Sequence, residues 1–129
     1  MLVLMTPEEI RARRGQIADM VRACSHFDAD HTAPDAIVNM LLTGQLQGWS
    51  DGRYVYVVQP FAKDGKRGRC LAYACAPVAA MLAAYREFET IARAEHIDLI
   101  VVLGRRAWLR LLPEYHENMG GFVKWLEVP

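Results

Sequence analysis

The spacing of apolar residues changes along this chain from a strand-like period to a helix-like period and back, and each change marks a predicted element. Residues 1–5 are all apolar and predict a short edge strand. The segment Thr6-Pro7-Glu8-Glu9 supplies a capping threonine, a proline at the first helical position and a glutamate three residues after the cap. Apolar positions then recur at spacings of seven, three and four, which predicts one helix ending near Ser25.

A loop and a shorter helix follow. Residues 26–34 are largely polar and predict a loop, while Thr32-Ala33-Pro34-Asp35 repeats the pattern of a helix start. The apolar residues up to position 42 predict a second helix, and Gly44 ends it because glycine accepts the left-handed conformation common after helices.

Three strands in series come next. Residues 45–49 and 53–62 flank Asp51-Gly52, a dipeptide that favours a tight hairpin turn because both central residues can take a positive φ. Residues 63–68 predict the tip of a second hairpin, and residues 69–76 return as a strand.

The rest of the chain alternates between helix and strand. Helical spacing runs from Val78 to Glu95, and the aliphatic run 98–103 predicts an interior strand buried on both faces. Residues 106–112 predict a short helix, and residues 122–128 a last strand. The predicted fold is α/β (α+β), with a mixed central sheet of about six to seven strands and four helices in the order β-α-α-β-β-β-α-β-α-β.

Composition restricts the classes of partner. A chain of 129 residues with 53% hydrophobic residues predicts a single domain over residues 1–129. The formal net charge is zero, so the whole molecule has no electrostatic preference for nucleic acid or an anionic membrane. The apolar N-terminal run is shorter than a signal-peptide core, and no stretch approaches the roughly 20 apolar residues of a membrane span. We therefore expect neither a signal peptide nor a membrane contact.

The cysteines and one polar cluster are possible reactive or metal-binding groups. Three cysteines without a C-x-x-C motif are typical of a reducing compartment, and buried positions are the default expectation for all three. A cluster within residues 24–31 carries metal-capable atoms: Cys24, His26, Asp28, Asp30 and His31. Its spacing matches no established zinc pattern, so we predict a solvated loop and no metal site.

Six basic residues are candidates for interaction. Lys63, Lys66, Arg67 and Arg69 surround the predicted second hairpin tip, which could contact phosphates or an acidic protein surface. The neutral overall charge favours the protein surface.

Arg105 and Arg106 follow the aliphatic strand at its C-terminal end, where α/β proteins usually bind ligands. An anion clamp is one interpretation of this pair. Arginine stems that cover Trp108 are the alternative, which we favour because such coverage is common.

The order of elements resembles the GNAT superfamily of acetyltransferases from end to end. Residues 98–105 look like its fifth strand, residues 106–115 like its fourth helix, and Gly121-Phe122 like the pair that opens its last strand. More narrowly, Gly104-Arg105-Arg106-Ala107-Trp108 followed by Leu111-Leu112 resembles a G-R-x-x-W segment of small GNAT-like proteins encoded by tailed phages.

The resemblance also exposes a departure at the cofactor loop. GNAT enzymes carry a Q/R-x-x-G-x-G/A loop whose backbone N–H groups bind the cofactor's pyrophosphate, whereas residues 76–81 here read Ala-Pro-Val-Ala-Ala-Met. Pro77 has no N–H to offer. If the chain were an enzyme, the backbone groups of Val78, Ala79, Ala80 and Met81 would have to replace that loop.

The catalytic positions depart as well. In many GNAT enzymes a tyrosine four residues before the glycine of the Gly-Phe pair protonates the leaving thiolate, but Tyr115 lies five residues before Gly120 and six before Gly121. The predicted strand 69–76 carries no carboxylate that could serve as a general base. We therefore predict a protein without catalytic residues or a cofactor. The alternative is a divergent acetyl-CoA-dependent N-acetyltransferase that uses Tyr115.

The phage-like segment implies a role in a virion. We expect a structural or assembly component made in the cytoplasm of the bacterial host and placed in the virion. Its partners would be other virion proteins and further copies of itself. Nucleic acid bound by the hairpin from Lys63 to Arg69 is the alternative that the neutral net charge disfavours.

Overall fold

The computed structural model describes residues 1–24, 33–104, 109–118 and 120–126. Within these residues the chain forms seven strands and four helices. Their bounds are β1 Val3–Leu4, α1 Pro7–Ala12, α2 Arg14–Ala23, α3 Pro34–Thr43, β2 Gln47–Ser50, β3 Val55–Lys63, β4 Lys66–Ala74, α4 Val78–Ala94, β5 Leu99–Val102, β6 His116–Asn118 and β7 Gly121–Trp125.

All the described strands belong to one mixed sheet. Its order is β1-β2-β3-β4-β5-β7-β6. Only β4 and β5 pair in parallel, and the other neighbours are antiparallel. The long helix α4 connects the two parallel strands, as a parallel connection requires. The mixed α/β class and the seven-stranded sheet confirm the predicted fold class.

Buried clusters cover both faces of the sheet: two beneath the helices, and a smaller third one that includes Cys70 and Leu99. The helix α4 packs on one face, where Phe88, Ile100 and Phe122 belong to one buried cluster. The helices α1, α2 and α3 pack on the other face, where Ile17 and Val57 belong to a second cluster. Every residue of β5 is buried, which confirms the predicted interior strand.

A bulge in β4 changes the face of the sheet on which the side chains of this strand lie. Val57 and Val58 are consecutive on β3, but their partners on β4 are Tyr73 and Leu71, so Ala72 is an extra residue. An extra residue shifts the alternation of side chains by one position. Tyr73 therefore packs against the α1–α3 core, whereas Leu71 packs against the α4 core.

The prediction of a single first helix is wrong, because the structure has two helices there, α1 and α2. The capping box forms as predicted at Thr6 and Glu9, but the helix breaks at Arg13. The Arg13 guanidinium donates hydrogen bonds to the Ser50 hydroxyl and to the Gly52 carbonyl, at 3.0 and 2.9 Å. These long-range contacts position the break, and local spacing could not reveal them.

The two predicted hairpins have different turns from those expected. Residues 51–54 form a four-residue loop in which Asp51 accepts hydrogen bonds from two backbone N–H groups, at 2.9 and 2.8 Å. In the second hairpin, Asp64 and Gly65 both have positive φ and make the two-residue turn. As a result β4 begins at Lys66 and ends at Ala74, whereas residues 69–76 were predicted.

Other elements also differ from the prediction, most of the strands by one or two residues at their ends. The helix α3 follows Ala33 as its cap, one position later than predicted, and Thr32 lies outside the described residues. Of the predicted helix 106–112, residues 109 and 110 form a short 3₁₀ turn, and residues 105–108 are not described. The strand β6 was not predicted because His116, Glu117 and Asn118 are all polar and exposed, which gives no alternation.

Candidate functional site

The two parallel strands separate beside the start of α4. The strand β4 pairs with β5 from Gly68 to Leu71, and the Leu103 N–H donates one more hydrogen bond to the Leu71 carbonyl. Beyond the Ala72 bulge, β4 continues to Ala74 with β3 as its partner. In the described part of the chain, the edge of β4 after Leu71 is therefore not covered by β5.

The helix α4 begins next to this separation with an uncapped end. Pro77 occupies the cap position, no described side chain accepts a hydrogen bond there, and the first turn has no acidic residue. The Met81 N–H already donates to the Pro77 carbonyl, at 3.0 Å. Of the four residues proposed for a cofactor, only Val78, Ala79 and Ala80 therefore retain N–H groups outside the helical hydrogen bonds.

The side chains at this helix start divide between solvent and core. Val78 is 52% exposed, and Ala79 is also exposed. Met81 is buried in the α4 core, and the Ala80 carbonyl accepts a hydrogen bond from the Tyr56 hydroxyl, at 3.5 Å. An anion at this helix start would therefore meet backbone N–H groups and methyl groups, because residues 78–81 have no charged side chain.

Tyr115 belongs to a buried polar network around Glu89, eleven residues after the first residue of α4. It is 4% exposed, and its hydroxyl donates to Glu89 Oε1 of α4 at 2.8 Å. Burial raises the pKa of the Tyr115 phenol, and the negative charge of Glu89 raises it further. A phenol with a raised pKa is a weaker acid, and its proton is already engaged by Glu89.

Glu89 is the centre of this network and is itself almost fully buried. Its carboxylate accepts hydrogen bonds from Lys124 Nζ on β7 and from Arg86 on α4, both at 3.1 Å. Arg93 lies 3.9 Å away, one helical turn further on. A buried carboxylate is tolerated because cations and donors surround it, and together they fasten α4 to β7 and to the segment before β6.

Glu114 extends the same network to the surface. It pairs with Arg86 and lies 3.6 Å from Lys124 Nζ, with about a third of its side chain exposed. The hydrogen bond from Arg86 holds the pKa of Glu114 at about 2, below its usual value of 4.5.

The lowered pKa of Glu114 predicts how the stability of the protein depends on pH. A carboxylate with a lowered folded-state pKa stabilises the fold above pH 4.5, and that contribution disappears as the pH falls toward 2. We expect Glu114→Gln to cost less than about 1 kcal/mol at pH 7, because the pair is partly exposed. Urea denaturation of both proteins should show the difference shrink below pH 4.5, and a difference unchanged at pH 2.5 would contradict this origin.

The basic residues of the second hairpin separate into two groups. Lys63 and Lys66 are exposed and lie directly opposite each other beside the Asp64-Gly65 turn. Arg67 is one residue further from the turn and has partners: its N–H donates to Asp98 Oδ2 at 2.8 Å, and its guanidinium donates to a backbone carbonyl at the end of α4. Among the described residues of this hairpin tip, the two lysines are therefore exposed and Arg67 is engaged by the end of α4.

Arg69 interacts electrostatically with Glu95, the residue that follows α4. Its guanidinium donates to the neighbouring Gly68 carbonyl at 2.9 Å, and its Nε is buried without a hydrogen-bond partner among the described residues. Burial lowers the pKa of Arg69, and the negative charge of Glu95 opposes this effect. The positions of Arg67 and Arg69 fit stabilisation of a helix C-terminus, where cations interact favourably with the helix dipole.

Other predicted candidates lie outside the described residues. They include Arg105 and Arg106, and all of the polar cluster except Cys24. Within the ranges that are described, no group of three or more metal-capable side chains is assembled.

Glu89 is the residue that sequence reasoning missed. It lies four residues after Tyr85 and three before Ala92, so it falls on the apolar stripe of α4. A charged residue on a buried stripe needs partners, and this signal could have identified it.

Comparison with known proteins identifies no relative of this chain. No protein-family model, curated protein or solved structure matches this chain. Among the described helices, none combines the length and apolar character needed to cross a bilayer. The GNAT resemblance therefore rests on the residues and the order of elements alone.

Proposed function

We propose that this chain is a non-catalytic GNAT-like domain that acts through protein contacts as a structural or assembly component of a tailed-phage virion. The observation that carries the proposal is the start of α4. There Pro77 and three small apolar residues stand where a pyrophosphate-binding loop would present glycine and free N–H groups.

The position of Tyr115 supports the absence of catalysis. A general acid must have a proton that it can deliver to the leaving group. The Tyr115 hydroxyl is buried and donates to Glu89, on the β7 side of α4, while the separation of the strands lies between β4 and β5. This tyrosine is better suited to holding the fold together than to protonating a thiolate.

Exposed apolar side chains support protein contacts. Trp125 on β7 is 50% exposed, and Val3 and Leu4 on the edge strand β1 are 57% and 49% exposed. Tryptophan is enriched among residues that dominate binding energy at protein interfaces. In the proposed assembly these side chains are among the groups that other virion proteins or further copies would cover.

Calorimetric titration with acetyl-CoA tests the non-catalytic part. We expect no heat of binding at millimolar ligand, because Pro77 removes one N–H donor and the helix start offers no basic side chain. The variant Pro77→Gly is the matched control, since it restores a backbone N–H at the same position. Micromolar binding by the unmodified chain would contradict the proposal.

One observation favours a second candidate, a divergent acetyl-CoA-dependent N-acetyltransferase. The separation of β4 from β5 leaves a strand edge beside an uncapped helix N-terminus, which attracts anions even without glycine. Under this alternative Val78, Ala79 and Ala80 would bind the cofactor and Tyr115 would have to leave Glu89. The titration separates the two candidates, and mass spectrometry of the purified native particle tests the virion assignment directly.

A further inference from the structure

Two cysteines that are distant in sequence lie close together at one end of the sheet. Cys24 follows the last residue of α2, and Cys75 follows the last residue of β4. The Cys24 thiol donates a hydrogen bond to the Ala74 carbonyl oxygen, at 3.4 Å. The sulfur of Cys24 therefore lies at the peptide group that joins Ala74 to Cys75.

This contact limits how far apart the two residues can be. In a planar trans peptide, a carbonyl oxygen is about 3 Å from the Cα of the next residue. The Cys24 sulfur is then at most about 6 Å from the Cys75 Cα. A disulfide places each sulfur roughly 4 Å from the partner's Cα, so the Cys24 sulfur is at most about 2 Å beyond that distance.

The bulge in β4 sets the direction of the Cys75 side chain. Ala74 and Ala76 pack against the α4 core, while Tyr73 packs against the α1–α3 core, to which Cys24 also belongs. Alternation along an extended chain places Cys75 on the same side as Tyr73. Both sulfurs therefore face the α1–α3 side of the sheet.

The two thiols differ in accessibility. Cys75 is exposed, and Cys24 is half-buried. Burial is the main cause of the raised pKa of the Cys24 thiol; a backbone hydrogen bond at Ala74 lowers this pKa, and a negative charge on Cys75 raises it, which is consistent with the proximity of the two cysteines. Cys70, the third cysteine, is buried and belongs to a different cluster on the sheet. The expectation that all three cysteines are buried is therefore wrong for Cys75.

We propose that Cys24 and Cys75 form a redox-sensitive pair that a low-molecular-weight disulfide oxidises to an intramolecular disulfide, joining the end of α2 to the connection between β4 and α4.

The reaction proceeds by two thiol–disulfide exchanges. The exposed Cys75 thiol loses its proton to solvent, and the thiolate attacks one sulfur of the small disulfide, whose S–S bond breaks and releases one thiolate. Cys24 then loses its proton and attacks the Cys75 sulfur of the mixed disulfide, which releases the second thiolate. The two released thiolates take up two protons, so two protein thiols are oxidised and one small disulfide is reduced to two thiols.

The bond would fix a part of the chain that lies beside the start of α4. The connection of residues 75–77 lies between Ala74 and Val78, so a bond at Cys75 ties this start to α2. A cross-link between distant residues restricts the unfolded chain and so raises stability when the native geometry accepts it. We expect the oxidised protein to have a higher melting temperature than the reduced protein.

Oxidised glutathione is the probe for the test, added to the full reduced chain. We expect a monomer that has lost two of its three thiols and two hydrogen atoms in mass, with one disulfide-linked peptide pair containing Cys24 and Cys75. Peptide mapping assigns the bond without any variant, so the result does not depend on a mutant that folds. Melting curves of both forms complete the measurement.

Two serine variants serve as matched controls. Cys24→Ser should stop at a glutathione mixed disulfide on Cys75, and its melting temperature should not rise on oxidation. Cys75→Ser should retain both remaining thiols, because Cys24 is half-buried and Cys70 is buried. A wild-type chain that keeps glutathione on Cys75, or that forms a Cys75-linked dimer in place of the internal bond, would overturn the proposal.

Discussion

Replacing Glu89 with alanine is expected to lower the free energy of unfolding by about 3–5 kcal/mol, the usual cost of breaking a buried ion pair. The substitution leaves the buried Tyr115 hydroxyl without its acceptor and removes the nearer of the two carboxylates beside Lys124, which is only 17% exposed. It also releases Arg86 from one of its two carboxylate partners. Urea denaturation at pH 7 measures the loss.

Two matched variants determine whether the charge or the hydrogen bond matters. Tyr115→Phe removes one hydrogen bond to the carboxylate and should cost about 1.5–3 kcal/mol. Glu89→Gln keeps an acceptor for the phenol but loses the nearer of the two negative charges beside Lys124, so we expect a loss between those of the other two variants. A cost below about 1 kcal/mol for Glu89→Ala would show that the network does not hold α4 to β7.

Replacing Phe88 with alanine is expected to cost about 3–5 kcal/mol, because it leaves a large cavity between α4 and the sheet. Phe88 is 2% exposed and meets Trp49 edge-to-face, with ring centroids 6.1 Å apart. Since Trp49 lies on β2, this contact connects α4 to the strand next to the sheet edge. Thermal or urea denaturation measures the cost.

The control for this prediction lies two residues away on the same helix. Thr90 is exposed, and its hydroxyl donates to the Arg86 carbonyl of its own helix at 3.3 Å. Thr90→Ala should therefore change the free energy of unfolding by no more than about 0.5 kcal/mol. Equal losses in the two variants would mean that α4 does not pack through Phe88.

These two predictions concern the same helix but different functions of its residues. Phe88 supplies apolar contact with the sheet, whereas Glu89 supplies the polar attachment that also holds Tyr115. If Tyr115 were needed as a general acid, its attachment to Glu89 would have to break at each turnover. The stability measured for Glu89→Ala therefore bears on the second candidate function as well.

Local sequence patterns predicted much of the fold, because the elements concerned are formed by interactions between residues that are close together in the chain. The capping box of Thr6 and Glu9 depends on residues three apart, and the helix start it predicted is present. The Asp64-Gly65 turn depends on two residues that accept a positive φ, although its predicted position extended too far on both sides. The burial of β5 could be predicted because all its residues are aliphatic.

Other features needed contacts between distant parts of the chain. The break at Arg13 depends on a loop 37 residues or more away, and β6 forms because β7 offers its polar residues a backbone partner. The hairpin arginines looked equivalent to the lysines in sequence. Only the proximity of the end of α4 distinguishes Arg67 from Lys66.

Most helices and strands, the buried central strand and the glycine-free start of α4 can be predicted from residue types at short spacing. The contacts of Glu89 with Tyr115 and Lys124, and of Cys24 with the residue before Cys75, appear only when the chain is folded. These pairings arise where the sheet brings together segments 26 to 50 residues apart, and no local pattern encodes such distances.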